Sequence, residues 1–260
     1  MSRILKVIAK KVLTAQFASR VVNFIVRTVR SHHVVIVHQT TELKLAEPGP
    51  QIRSRNKTFS TKEPATLAWI ESFGRESVLW DIGANIGLYS VYAAKLGVKV
   101  VAVEPSVFNL EFLVKNINLN QVSDSVDVLP IAVGGSDISL NRLNLSSMAW
   151  GDSQNSFGTT RGQYGTDIEV AVDYRLLGAS LDCLAEKFNL QQPDYIKVDV
   201  DGIEAEIVES GLHVLRQVRG VLIESPVVED DAQRIRECLT RAGLNLVQSE
   251  RRNTIWSRTL

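Results

Sequence analysis

Residues 78–90 read VLWDIGANIGLYS. Val78–Asp81 is a short apolar run ending on a carboxylate, and it leads through Ile82 into the turn Gly83-Ala84-Asn85-Ile86-Gly87. Glycine has no Cβ, so the backbone there can bend sharply and come close to a ligand. The helix predicted next, Leu88–Leu96, offers unpaired N–H groups at its start. In an open parallel sheet, ligands sit at the carboxyl ends of the strands. The turn is therefore placed to hold a nucleotide-like cofactor.

Outward from this turn, strand and helix alternate. Lys99–Val103 reads as a second strand and Ser106–Asn118 as a helix with Ser106 at its N-cap. Val126–Leu129, Tyr195–Val200 and Gly220–Glu224 read as further strands. Ile203–Ser210 and Glu229–Ala242 read as helices, and Leu244–Gln248 with Thr254–Trp256 as a terminal hairpin. Upstream, Pro64–Ser72 is a predicted helix with proline in its first turn. Short β-branched runs separated by helices predict an α/β fold with a mostly parallel sheet and helices on both faces. Residues 136–178, rich in Ser, Asn and Gly, break the alternation. A segment that long is expected to be a lid or substrate-binding insertion.

Three carboxylate signals fall at predicted strand ends. The pattern D-x-G-x-N-x-G at Asp81 departs from the dinucleotide fingerprint G-x-G-x-x-G. An acid there would repel a pyrophosphate and suit a cationic ligand. Glu104-Pro105 ends the second strand and can accept from ribose hydroxyls, whichever adenosine cofactor is bound. Ile196-Lys-Val-Asp199-Val-Asp201-Gly202-Ile-Glu204 brings three acids to the end of another strand. Its D-x-D-G fragment lacks the remaining oxygen ligands of a calcium loop.

The 260 residues carry 29 basic and 29 acidic side chains, but unevenly. Residues 1–30 hold seven Arg or Lys and no acid, leaving 22 basic against 29 acidic residues in the rest. A body so balanced is unsuited to general nucleic-acid binding. The segment from Arg3 to Arg30 reads as an amphipathic basic helix, with Ile4, Ile8, Val12, Val22, Val26 and Val29 at helical spacing and Phe17 and Phe24 close by. Such a helix suits an anionic membrane surface, a second subunit, or a cap on the domain. Residues 1–50 are accordingly taken as arm and linker, with AEPGPQIRSRNK (46–57) as linker, and 51–260 as the catalytic domain. No run is long and apolar enough to span a bilayer and no secretory signal is visible, so the expected location is the cytoplasm, with peripheral membrane contact through the arm. HHVVIVH (32–38) reads as a strand, not a metal site, because no Cys, Asp or Glu stands at ligand spacing. No metal is expected elsewhere. Cys183 and Cys238 are expected to be buried free thiols.

The stretches VLWDIGANIGLYS (78–90), VVAVEPS (100–106), NLEFLVKNINLN (109–120), LPIAVG (129–134), NSFG (155–158), Ser180-Leu181-Asp182 and IKVDVDGIEAEIVESG (196–211) together resemble the FkbM family of S-adenosylmethionine (SAM)-dependent methyltransferases. FSTKEPATLAWI (59–70) looks like the family's leading helix. The resemblance implies a Rossmann-like seven-stranded sheet with its last strand antiparallel. It implies transfer of the SAM methyl group to oxygen, on a hydroxyl of a sugar, glycolipid or polyketide-like acceptor. SAM binding is then expected at Asp81, Gly83, Ala84, Asn85, Gly87, Glu104, Pro105, Asn109, Ala132 and Asp199, with Asp81 accepting from the α-ammonium directly or through water. Asp201 is the expected general base, followed by Asp199; Glu204 is the third candidate, or a first-turn acid favoured by its helix dipole. The family often has Glu where Asp201 stands. Asn155, Phe157, Trp150 and Tyr164 are expected to face the acceptor. The competing readings are an NAD(P)-dependent oxidoreductase and a non-catalytic binding protein on the same fold. The Asn/Asp-Pro-Pro-aromatic motif of N-methylation is absent.

Overall fold

The computed structural model describes residues 3–258, and within the arm the side chains of Ile4, Ile8 and Val12 lie outside that description. A seven-stranded sheet forms the centre. Its order is Asn245–Glu250, Asn253–Ser257, Gly220–Glu224, Tyr195–Val198, Val78–Ile82, Lys99–Val103, Val126–Leu129. The last five of these run parallel; Asn253–Ser257 is antiparallel to Gly220–Glu224 and to its hairpin partner.

Alternation along each strand fills both faces, because side chains switch sides at every residue. Trp80, Ile82, Val101, Val103, Ile196, Val198, Val221 and Ile223 pack with Leu184, Ile207, Val208, Ile235 and Leu239 of the helices Leu181–Lys187, Glu204–Glu209 and Glu229–Arg241. Leu79, Val100, Ala102 and Leu222 pack on the other face with Leu67, Ile70, Val91, Tyr92, Leu113 and Ile117 of the helices Pro64–Glu71, Leu88–Lys95 and Val107–Leu119. Cys183 and Cys238 are free and buried.

Three regions differ from expectation. The basic helix runs over Arg3–Ser31, but the chain after it is no arm. His33–His38 and Thr41–Ala46 form an antiparallel hairpin, and Leu43 and Leu45 are fully buried in the second core. The expected linker 46–57 is mostly the helix Pro50–Lys62, which buries Ile52, Asn56 and Phe59 on one face. It stops at Glu63 (φ −138°, ψ 67°), where Pro64 disfavours a helical conformation in the residue before it. Residues 136–178, expected as a lid or substrate-binding insertion, are largely strands and not loop. Ile138–Leu145, Asn155–Phe157 and Val172–Ala179 form a second sheet with Ala132–Val133. Phe157 anchors it with Ala132, Leu143 and Leu145.

Candidate active site

The five parallel strands end along one edge, and residues at four of those ends, Ile82, Val103, Asp199 and Glu224, line a cleft of about 280 Å³ together with side chains of the second sheet and of the helix Pro50–Lys62. Gly83 turns the first strand at φ +83°, and a Cβ there would come within 2.9 Å of the carbonyl carbon of Asp199, and nearer to its oxygen. Gly87, at φ +79°, is the N-cap of the helix Leu88–Lys95 and sits against Leu113. Asn85, also left-handed at φ +53°, bonds through Nδ2 to the carbonyl of Asp152 at 2.9 Å. Both glycines are thus fixed by backbone shape and contact.

Glu104 lines the cleft and is almost wholly buried. Its Oε2 accepts from the Asn85 amide at 2.8 Å and its Oε1 from the Ser106 amide at 2.9 Å. Burial pushes its carboxyl up to about 7, although these bonds and Asn109 pull the other way. Asn109 stands behind: its Nδ2 donates to Glu104 and to the Asp152 carbonyl, and its Oδ1 accepts from Gly151. Ser106 is the N-cap residue of its helix but makes no side-chain cap. Pro105 and Ala132 line the cleft beside Val133 and Leu143; Ala84 and Gly87 shape the turn without lining it.

Asp81 lies behind the cleft wall. Its Oδ2 accepts from Ser90 Oγ at 2.5 Å, its Oδ1 lies 3.3 Å from Lys197 Nζ, and it does not line the cleft. Asp81 and Lys197 are register neighbours on adjacent strands. Lys197, 1% exposed, also reaches Asp199 Oδ2 at 3.1 Å. Burial opposes its charge, but Asp199 and Asp81 outweigh burial and hold the ammonium above the usual lysine range. Asp199 lines the cleft, and although burial raises its carboxyl, Lys197 beside it holds the balance below the ordinary value.

Asp201 and Asn155 also line the cleft, and the Asn155 amide bonds to Asp201. Burial, then the charges of Asp199 and Glu224, push Asp201 up to about 8. Glu204 does not line the cleft. It is 1% exposed, its Oε2 has no hydrogen-bond partner among the described residues, and burial raises it well above the ordinary value. Its Oε1 accepts from the Gly202 amide at 3.3 Å, so it braces the loop beside Asp201 from outside the cleft. Phe157 and Tyr164 line the cleft; Trp150 does not, being packed on Phe112 with ring centres 5.2 Å apart.

A family profile described as Methyltransferase FkbM domain matches residues 81–246. The chain belongs to the FkbM methyltransferase family. Among curated proteins, hexuronic acid methyltransferase AglP of Haloferax volcanii is 26% identical over 161 residues, covering 60% of this chain and 58% of AglP. The chain thus spans less than two thirds of that relative's length. Similar solved structures include a precorrin-6Y C5,15-methyltransferase of Geobacter metallireducens, 14% identical with a TM-score of 0.44, covering 76% of this chain and 87% of that one. A Streptococcus pneumoniae protein in complex with S-adenosyl-L-methionine is 15% identical with a TM-score of 0.45, covering 75% of this chain and 72% of that one.

In this FkbM chain the cleft also holds residues not named as site candidates from the sequence: Glu224, Glu63, Arg55, Lys62 and Arg252. Burial and the charge of Asp199 push Glu224 up to about 7, while Arg252 pulls it down. Arg55 donates to the Gly151 carbonyl at 2.7 Å and has no carboxylate partner among the described residues. Glu224 had a readable signal, an acid ending a strand like Glu104. Lys197 had another, a charge in an otherwise apolar strand.

Proposed function

We propose that this protein is a SAM-dependent O-methyltransferase acting on a hydroxyl of a sugar, glycolipid or polyketide-like acceptor. One observation carries the cofactor assignment: the strand ends present a buried ribose-type acid at one pole of the cleft and a cluster of carboxylates at the other. The residues fit SAM piece by piece. Glu104 can accept from the ribose hydroxyls. Ala132, Val133, Leu143 and Pro105 give the adenine an apolar wall. Gly83, lacking Cβ, lets the methionine portion lie against the strand end. Asp199, charged and at the cleft wall, is better placed than Asp81 to accept from the α-ammonium. Arg55, a cation on the cleft lining, can meet the α-carboxylate. An NAD pyrophosphate would instead meet Asp199, whose carboxylate is held charged by Lys197 and repels it.

Bound SAM supplies an electrophilic methyl group on a sulfonium. The chain's own part is to align the acceptor, exclude water and take its proton. Asp201 is our choice of base. Its carboxyl lies in the range that suits a base near neutrality. Lys197 locks Asp199 in its charged form, which favours the sulfonium pole and leaves Asp201 to receive the proton. A sugar acceptor draws support from the relative AglP, named a hexuronic acid methyltransferase. For residues 14–31 the arm exposes Phe17, Val22, Phe24, Ile25 and Val26 together with basic side chains, which suits an anionic bilayer.

Asp201→Asn tests the base. The expected result is a fall in kcat of about 10²–10⁴-fold with S-adenosylhomocysteine (SAH) affinity nearly unchanged by calorimetry. A loss of SAH affinity with kcat intact at saturation would make Asp201 a cofactor ligand instead.

A further inference from the structure

We propose that the loop 146–154 is a strap that fixes the ribose end of the cofactor cleft, with Asn109 as the positioning residue that ties the strap to Glu104. This rests on the methyltransferase reading above and adds to the same site a part whose central residues do not line the cleft.

The loop joins Ile138–Leu145 to Asn155–Phe157 in the second sheet. Its base is closed by the Ser146 amide, which donates to the Gln154 carbonyl at 3.1 Å. Asp152 shapes it from within. Its Oδ2 accepts from Ser146 Oγ at 3.0 Å and Ser147 Oγ at 2.6 Å, and its Oδ1 from the Ser153 amide at 3.0 Å. At the tip, Trp150 packs against a small core of Ala46, Ile52, Ile86 and Phe112. Gly151 follows at φ +80°, where a Cβ would lie 3.1 Å from Ile52 Cγ1. The loop thereby carries the second sheet to the helix Pro50–Lys62 and to the cofactor turn.

Four cleft-lining residues meet at this loop: Arg55, Asn85, Glu104 and Ser153. The Asp152 carbonyl accepts from Asn85 Nδ2 at 2.9 Å and from Asn109 Nδ2 at 3.0 Å. The same Asn109 nitrogen donates to Glu104 Oε1 at 3.3 Å, and the Asn85 amide closes the ring on Glu104 Oε2 at 2.8 Å. Asn109 Oδ1 accepts from the Gly151 amide at 2.9 Å, and the Gly151 carbonyl from Arg55 Nε at 2.7 Å. Ser153 is the next residue after Asp152.

Asn109 is 1% exposed, and both polar atoms of its side chain are engaged by protein groups. A fully paired buried network is rigid, and removing one member leaves the others unpaired at a cost. Asn109 therefore acts on the cofactor through Glu104 and the strap. A ribose bound at Glu104 tightens a ring that includes the strap's backbone. Asn155, the first residue beyond the strap, bonds through its amide to Asp201, so the connection runs from the ribose acid to the base.

Calorimetry with SAH and amide hydrogen exchange, both on the full chain, test this. We expect SAH to slow exchange in residues 149–153 of the unaltered protein. Asn109→Ala should abolish that slowing and weaken SAH binding about tenfold. Because Asn109 acts through Glu104, the double variant Glu104→Gln, Asn109→Ala should bind SAH within about threefold of Glu104→Gln alone. Asp152→Ala leaves the bonds to Glu104 in place and loosens the strap from within; it should weaken SAH binding by about threefold to tenfold. Exchange at 149–153 that ignores SAH, losses that add in full in the double variant, or SAH affinity unchanged in Asn109→Ala or in Asp152→Ala would overturn the proposal. If Asn109→Ala does not fold, the exchange of the unaltered protein and the affinity of Asp152→Ala decide it. Absence of SAH binding by the unaltered protein would instead sink the methyltransferase reading, and this proposal with it.

Discussion

Replacing Gly83 with alanine inserts a methyl group between two strand ends. At φ +83° an L side chain carries left-handed strain of about 1–2 kcal/mol. The added Cβ also meets backbone, 2.9 Å from the Asp199 carbonyl carbon and nearer to its oxygen. Neither atom belongs to a flexible side chain, so the loop after Tyr195–Val198 must retreat. Overpacking of this kind adds about 1–3 kcal/mol. The expected destabilisation is therefore about 2–5 kcal/mol, read as a shift in the urea midpoint with m unchanged. Because that loop carries Asp199 and Asp201, SAH affinity should fall by more than tenfold as well. Gly74→Ala is the control: its Cβ meets nothing nearer than Ser77 Oγ at 3.5 Å, and a change within about 0.5 kcal/mol is expected. If Gly83→Ala matched Gly74→Ala in stability and bound SAH like the unaltered protein, the close approach of turn and acid loop would be wrong.

Lys197→Met should destabilise by about 3–5 kcal/mol in urea denaturation, because it leaves Asp81 buried without its cation; a change under about 1 kcal/mol would show that the network is not as described. The pH dependence has a definite sign. Glu104, Glu224 and Asp201 are raised to about 7, 7 and 8, so between about pH 4 and 8 the unfolded chain gives up protons that the native protein keeps, and stability falls as pH rises. Asp199, held low, acts in the opposite sense and only in acid. The melting temperature should thus decline from pH 6 to pH 9, and Asp201→Asn should flatten the decline; a rise over that range would contradict it. Removal of residues 1–30 should abolish flotation with anionic liposomes while SAH binding persists; flotation that survives the truncation would dismiss the arm's membrane role.

The parallel sheet was legible because its strands are short β-branched runs, each bounded by turn or cap residues. The glycine turn and Glu104 were legible for a related reason, since their chemistry sits at strand ends that sequence marks. Pro50–Lys62 was not, because its inward face is only Ile52, Asn56 and Phe59 in a polar helix. Pro50, taken as a loop residue, is in fact a helix-starting proline. The second sheet was hidden by half-solvated strands: Ile138 and Leu140 are exposed, Leu143 and Leu145 buried. Trp150 was read by residue type, but core packing against Phe112 claimed it. Glu224 at a strand end and Lys197 in an apolar strand carried a signal, but their partners come only from the fold, which puts Lys197 opposite Asp81 and Arg252 against Glu224. Asp81 shows the same limit, since its position was readable but the lysine that occupies it was not.

Calorimetric titration of the full chain with SAH and, separately, with NAD bears most directly on the cofactor assignment. Saturable one-to-one binding of SAH, weakened more than tenfold in Glu104→Gln, with no heat from NAD, is the predicted result. Binding of NAD with none of SAH would contradict the account.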